Sequence, residues 1–207
     1  MSAVLRPDLA MICDWIRPGS RVLDLGCGDG ALLAHLTRNF GVSGYGLEID
    51  PENLARCVDS GINVIQADLD DGLKDFETNS FDYVLMTQAL QALQRPDQAL
   101  AEILRVGKTA IVTFPNFGHW RVRAALALGR MPVTPSLPET WYNTPNIHLC
   151  TVADFEDLCA ARGWRITSRR LLDKSHREGL RIRLAPNLFS EVALYMLQGP
   201  KLLGIAT

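Results

Sequence analysis

The sequence predicts an α/β fold in which about seven strands form a mostly parallel sheet with helices on both faces. Three observations carry this reading. Apolar strand-like runs alternate with segments of helical period between residues 21 and 114. A glycine-rich loop follows the first of those runs, in V-L-D-L-G-C-G-D-G at residues 22–30. Two last runs, Trp164 to Leu172 and Glu191 to Leu197, are joined by a charged loop and read as a closing hairpin.

Each element has its own signal. Leu5, Leu9, Ile12, Cys13 and Ile16 recur at helical spacing, and Pro18-Gly19-Ser20 stops that helix. Arg21 to Leu25 is the first strand, and the helix after the loop carries Leu32, Leu33 and Leu36. Val42 to Ile49 is a second strand ended by Asp50-Pro51, with Asn53 to Val58 helical. Ile62 to Gln66, Phe81 to Met86 and Ala110 to Phe114 are three further strands, with a helix over Ala99 to Leu104. Residues 115–150 then hold Pro115, Pro132, Pro135, Pro138 and Pro145 and break the rhythm. So long a segment without clear regular structure inside a domain is usually functional. Val152 to Ala161 resumes as a helix, with Thr151 as its cap.

The chain of 207 residues reads as one domain, 1–207, long enough to bury a core unaided. A net charge of −2 gives no general attraction to nucleic acid or to an anionic membrane, so neither is expected as a partner. The five cysteines (Cys13, Cys27, Cys57, Cys150 and Cys159) form no C-x-x-C pair, which argues against a disulfide framework or a zinc site. They read as small buried hydrophobes in a reducing compartment. With no signal-peptide pattern and no apolar run long enough to span a bilayer, the expected location is cytoplasmic.

The glycine loop sets the ligand question. No Lys-Ser or Lys-Thr closes it, so it is not a P-loop. Its spacing is Gly26-x-Gly28-x-Gly30, with Asp24 two residues before the first glycine. A carboxylate there repels a pyrophosphate and suits an ammonium or a sulfonium. S-adenosylmethionine carries both. Glu48 ends the second strand twenty residues on, where a carboxylate accepts ribose hydroxyls, a role it would also play for a dinucleotide. Asp68, in Q-A-D-L, ends the third strand and suits an adenine amino group, although Asp68, Asp70 and Asp71 also read as a solvated loop. These acids and glycines (Asp24, Gly26, Gly28, Gly30, Glu48 and Asp68) are the expected contacts for S-adenosylmethionine or S-adenosylhomocysteine, and their neighbours Cys27, Ile49 and Leu69, with Gln88 after the fourth strand, complete the expected cofactor set.

V-L-D-L-G-C-G-D-G, Y-G-L-E-I-D-P, I-Q-A-D-L-D and F-D-Y-V-L-M-T-Q-A-L together resemble the class I S-adenosylmethionine-dependent methyltransferases. R-P-D-L, L-Q-A-L-Q-R-P-D, E-I-L-R-V-G, F-P-N-F-G-H-W-R-V-R, G-R-M-P-V-T and W-Y-N-T-P-N-I-H-L-C-T narrow the resemblance to the methionine biosynthesis protein MetW family, over residues 4 to about 172. Asn143 departs from that pattern, standing where an Asp is expected. The resemblance implies a Rossmann-like seven-stranded sheet and an S-adenosylmethionine site. It also implies a place in methionine synthesis beside homoserine O-acyltransferase, as an accessory or activating partner.

Catalytic signatures are thin. There is no N/D-P-P-Y-type sequence, no Pro-Cys nucleophile and no carboxylate set suited to a catalytic metal. The candidates lie in the 115–150 segment, which would hold a small-molecule acceptor or contact a partner protein. His119 is the candidate base and Tyr142 the second catalytic candidate, near Asn116, Trp120, Arg121, Arg123, Trp141 and His148. His119 reads equally as a residue that pins the loop, His148 as partly buried structure, and the two arginines as a solvated helix face. The basic C-terminal part, from Arg162 to Arg183, reads as solvated surface or as a docking face for an acidic partner.

Overall fold

The structure, a computed structural model, describes residues 5–200. In chain order its elements are α1 (Pro7–Cys13), β1 (Arg21–Leu25), α2 (Ala31–Phe40), β2 (Ser43–Glu48), α3 (Pro51–Asp59), β3 (Val64–Gln66), β4 (Phe81–Thr87), α4 (Pro96–Val106) and β5 (Gly107–Pro115). There follow α5 (Trp120–Ala127), α6 (Val152–Arg162), β6 (Arg165–Leu172), α7 (Leu180–Leu184), α8 (Pro186–Phe189) and β7 (Val192–Gln198). Short 3₁₀ turns occupy Leu69–Asp71 and Leu90–Ala92.

The seven strands form one sheet in the order β3-β2-β1-β4-β5-β7-β6. β1 to β5 are parallel neighbours, whereas β7 runs antiparallel between β5 and β6. The predicted mostly parallel sheet and antiparallel end are both present. The strand order is the new information, because the last strand in sequence lies inside the edge strand β6.

Successive strand residues point to opposite faces, and both faces are covered. On one side Val84, Met86, Val112 and Phe114 pack with Leu100 and Ile103 of α4 and Phe155 of α6. On the other, Val22, Leu85 and Ile111 pack with Ile12 of α1, Leu33 and Leu36 of α2 and Cys57 of α3. This double burial explains why the strands read as continuous apolar runs. Cys13, Cys27, Cys57 and Cys159 are buried within these layers and Cys150 is half-buried, in line with their reading as small hydrophobes.

The helix starts follow local chemistry. The Asp50 carboxylate accepts from the Glu52 and Asn53 amides at 2.8 and 3.0 Å, with Pro51 opening α3. Thr151 and Asp154 cap one another across the first turn of α6.

Three stretches of the chain differ from expectation. β3 is shorter, spanning Val64–Gln66 rather than starting at Ile62, and it pairs with β2 alone. Residues 120–127 of the supposedly irregular segment form α5. Ala, Leu and Arg favour helix there, but only Val122 is buried, so no apolar stripe marks it. The charged loop between the last two strands contains α7 and α8.

Candidate functional site

The carboxyl ends of β1, β2, β3 and β4 lie side by side, and the expected cofactor residues sit along that edge. Asp24 is the penultimate residue of β1, Glu48 the last of β2, Asp68 two residues beyond β3, and Gln88 immediately after β4. Because β1 sends its connection to β2 on one side and pairs with β4 on the other, this is the switch point where open α/β sheets receive ligands.

Asp24 is 1% exposed and its Oδ1 has no hydrogen-bond partner. Burial, reinforced by the nearby Glu48 carboxylate, pushes its pKa from 3.8 to about 7. A buried, unpartnered carboxyl is costly unless something arrives to pair with it, and a cation is the natural partner. Glu48 is differently supported. Its Oε2 accepts from the Gly28 amide at 2.8 Å, and its Oε1 accepts from the Ile49 and Asp50 amides at 2.9 Å each. Three N–H donors hold this carboxylate in place, and Oε2, with a single donor, keeps acceptor capacity for a hydroxyl.

The loop between them turns on glycines. Gly28 has φ of +56° and a Cβ there would meet nothing within 4 Å, so open space lies over its backbone. Gly30, at φ +72°, is different: a Cβ would come within 2.9 Å of the Cys57 Sγ. Cys27 points inward, with its Sγ 3.8 Å from that of Cys57. Burial, with Asp24 next in effect, pushes the Cys27 thiol far up, so it is a packed neutral group rather than a nucleophile.

Asp68 caps the turn at Leu69–Asp71, accepting from the Asp70 amide at 2.9 Å, and is exposed at the rim. Ile49 is 56% exposed and Leu69 half-buried, leaving apolar surface beside the two carboxylates. Gln88 adopts φ of +54°, rare for a residue with a side chain. Its amide donates to both the carbonyl and the Oγ1 of Thr113 at 3.0 Å, and its carbonyl accepts from Gln91 Nε2 at 2.7 Å.

One member of this edge was not legible in sequence. Asp8 of α1 is fully buried, pairs with Arg6 at 2.9 and 3.1 Å, and accepts from Gln88 Nε2 at 3.3 Å. His176 Nε2 lies 4.0 Å from the same carboxylate. R-P-D at the start of a helix signals an N-terminal turn, with Pro first and an acid in place. Nothing local announces a contact eighty residues away.

The candidate catalytic residues His119 and Tyr142 have different surroundings, one buried and one exposed. His119 is buried and caps α5, its Nδ1 accepting from the Arg121 amide at 3.4 Å. Burial, then the Arg121 charge, holds the imidazole below its ordinary pKa, so it is neutral at pH 7. In that tautomer the free lone pair is engaged by the cap, and the protonated Nε2 faces the buried Glu191 carboxylate at 3.8 Å. Tyr142 is 73% exposed with its ring edge against Trp141, itself 73% exposed. Asn116 pins the strand end, donating to the Ser190 carbonyl at 2.8 Å and accepting from the Gly118 amide at 2.9 Å.

Arg123 donates to the Gly118 carbonyl and Arg121 lies over the Trp120 ring, so neither stands free as a carboxylate clamp. His148 is exposed rather than partly buried, with Nε2 3.2 Å from the Gln94 carbonyl. In the basic C-terminal part, Arg162, Arg169 and Arg170 pair with Asp97, Glu156 and Asp14. Three of the eight basic side chains from Arg162 to Arg183 are therefore paired within the chain. Among the described residues there is no cluster of metal-ligating side chains and no helix long and apolar enough to cross a membrane.

A family model described as "Methionine biosynthesis protein MetW" matches residues 6–197. The bifunctional methionine biosynthesis protein MetXA/MetW of Rhodopirellula baltica is 36% identical over 200 residues, which is 92% of this chain and 32% of that protein. The chain thus spans about a third of that relative's length. The ubiquinone/menaquinone biosynthesis C-methyltransferase UbiE of Vibrio cholerae is 33% identical over 106 residues, 46% of this chain and 40% of its own. Among solved structures, a SAM-dependent methyltransferase from Archaeoglobus fulgidus superposes with a TM-score of 0.66 at 16% identity, covering 92% of this chain and 90% of its own. Phosphoethanolamine N-methyltransferase 2 of Haemonchus contortus, in complex with S-adenosyl-L-methionine, gives 0.68 at 16%, covering 94% and 52%. At such identities the likeness is one of fold, and the fold is that of the class I methyltransferases. On the match over most of its length, the chain belongs to the MetW family of methionine biosynthesis proteins.

Proposed function

We propose that this chain binds S-adenosylmethionine or S-adenosylhomocysteine at the carboxyl edge of β1 to β4, and serves methionine synthesis as an accessory partner of a homoserine O-acyltransferase. The observation that carries the ligand reading is the unpartnered Oδ1 of buried Asp24 beside the open backbone of Gly28. Asp24 would take the cationic aminoacyl end of the ligand, Glu48 the ribose hydroxyls, and Asp68 the adenine amino group, with Ile49 and Leu69 against the base. When bound, S-adenosylmethionine supplies an electrophilic methyl group. What the chain's own residues do is bind and orient it: Gly28 lets it approach, and Asp8 holds Gln88 at the rim.

The accessory role is supported by two things. One is the relative in which MetXA and MetW share a single polypeptide. The other is the lone pair of His119, spent on a helix cap rather than free for a base. The test is co-purification of this chain with a homoserine O-acyltransferase, with and without S-adenosylmethionine, and measurement of acyltransferase activity in both mixtures. Association and a changed rate support the reading; no association in either condition removes it.

A second reading, methyl transfer to a small-molecule acceptor held by residues 115–150, draws on the class I fold. It requires labelled methyl to pass from S-adenosylmethionine to an extract component, and to stop doing so in Asp24→Ala. Tight cofactor binding without any transfer would remove it.

A further inference from the structure

A cavity of about 170 Å³ lies away from the glycine loop, between the Leu90–Ala92 turn, α4, the end of β5 and α6. Leu90, Leu100, Phe114, Phe155 and Leu158 give it apolar walls, and its polar lining residues are Gln91, which is buried, and His148 and Asp154, which are exposed. Gln91 is 8% exposed. Its amide orientation is fixed, because Nε2 donates to the Gln88 carbonyl at 2.7 Å. Its Oε1 is then the end left over, and that oxygen is buried with no hydrogen-bond partner. A buried acceptor without a donor carries a desolvation penalty that a ligand donor would remove. The backbone carbonyl of Gln91 meanwhile accepts from Ile147 and His148, tying the cavity wall to the 115–150 segment.

We propose that this cavity is a binding site for a small, largely apolar molecule carrying a single N–H or O–H donor, which pairs with Gln91 Oε1. Size sets the upper limit. A dry apolar cavity of roughly 150 Å³ admits benzene, so a monocyclic ring or a short branched chain fits here and a nucleoside does not. His148 and Asp154 are exposed and engaged elsewhere, His148 Nε2 lying 3.2 Å from the Gln94 carbonyl and Asp154 accepting from the Thr151 amide and hydroxyl, so the buried wall offers no counter-charge to a head group. The site is separate from the cofactor residues, since none of the five apolar wall residues or Gln91 belongs to that set. It nevertheless touches the cofactor edge through the Gln91–Gln88 hydrogen bond.

The test uses phenol and toluene, which differ by a hydroxyl in place of a methyl, titrated into the intact chain with ¹³C-labelled leucine methyl groups. Phenol is expected to shift the Leu90, Leu100 and Leu158 signals and to bind about 2- to 10-fold tighter than toluene, the worth of one neutral hydrogen bond. Gln91→Leu should erase that preference while keeping toluene binding. Leu158→Trp, which fills the space from the half-buried side of α6, should abolish binding of both. If Gln91→Leu fails to fold, Leu158→Trp alone decides where the probes sit. Absence of methyl shifts with both probes, equal affinities for the two, or undiminished phenol binding in Leu158→Trp would each overturn the proposal.

Discussion

The affinity of this chain for S-adenosylmethionine should fall steeply as pH drops from 7 to 5, through a single carboxyl group. Asp24 titrates at about 7 in the ligand-free protein because it is buried and faces Glu48. Only its ionised form pairs with a cation, so apparent affinity scales with the ionised fraction. That fraction is about 50% at pH 7, roughly 9% at pH 6 and roughly 1% at pH 5, which weakens binding about fivefold to pH 6 and about fiftyfold to pH 5. The ligand's own α-amino group stays charged across this window, since such groups titrate near 7.7–8. Calorimetry in two buffers of different ionisation enthalpy reads both the affinity and the protons released. At pH 6 close to one proton should leave per ligand bound, on the order of 0.9, because most ligand-free molecules start protonated. Asp24→Asn should bind weakly and lose both the slope and the proton release. A flat affinity between pH 7 and 5, or an unchanged slope in Asp24→Asn, would refute the reasoning.

Ligand-free stability should move the opposite way. A carboxyl raised from 3.8 to about 7 binds its proton more tightly folded than unfolded, so its contribution to stability is lost as pH rises from about 4 to 7. The loss is at most ~4 kcal/mol, so thermal unfolding at pH 8 should show Asp24→Asn melting no lower than the parent chain. Gly28→Ala and Gly30→Ala should separate binding from folding. Both place a side chain at positive φ, costing about 1 kcal/mol, but only Gly30→Ala also drives a Cβ to within 2.9 Å of Cys57 Sγ. Denaturant unfolding should therefore show the larger loss in Gly30→Ala, whereas Gly28→Ala should cost mainly ligand affinity. His119→Ala removes the α5 cap and should cost ~1 kcal/mol. His119→Asn should restore most of it, and neither should alter cofactor affinity if His119 only holds the loop.

What was legible in the sequence was what is local or periodic. Leu23, Leu25, Val84 and Met86 lie in strands buried on both faces, so their runs announce themselves without knowledge of the partner strand. Asp24, the glycines and Glu48 come from consecutive strands whose ends a parallel sheet must align, so an adjacent site follows from chain order alone. Asp8 meeting Gln88 does not follow in that way, because it depends on how α1 lies across the sheet edge. The placement of β7 between β5 and β6 is likewise a choice among strand orders that leave the same apolar pattern. α5 escaped notice for a different reason: with Val122 alone buried, there is no face for a period to mark.

That placement of β7 also governs the order of assembly. β6 pairs with no other strand among the described residues, so until residues 192–198 are in place it has nothing to hydrogen-bond. β1 to β5 suffer no such dependence, since each pairs with a strand made earlier or soon after. During synthesis, therefore, the ligand-facing half of the sheet is complete while β6 still waits, and closure comes from the last strand slotting inward against two neighbours at once. Emergence of residues 192–198, not of the glycine loop, is the step that gives β6 its partner and covers the open edge of β5.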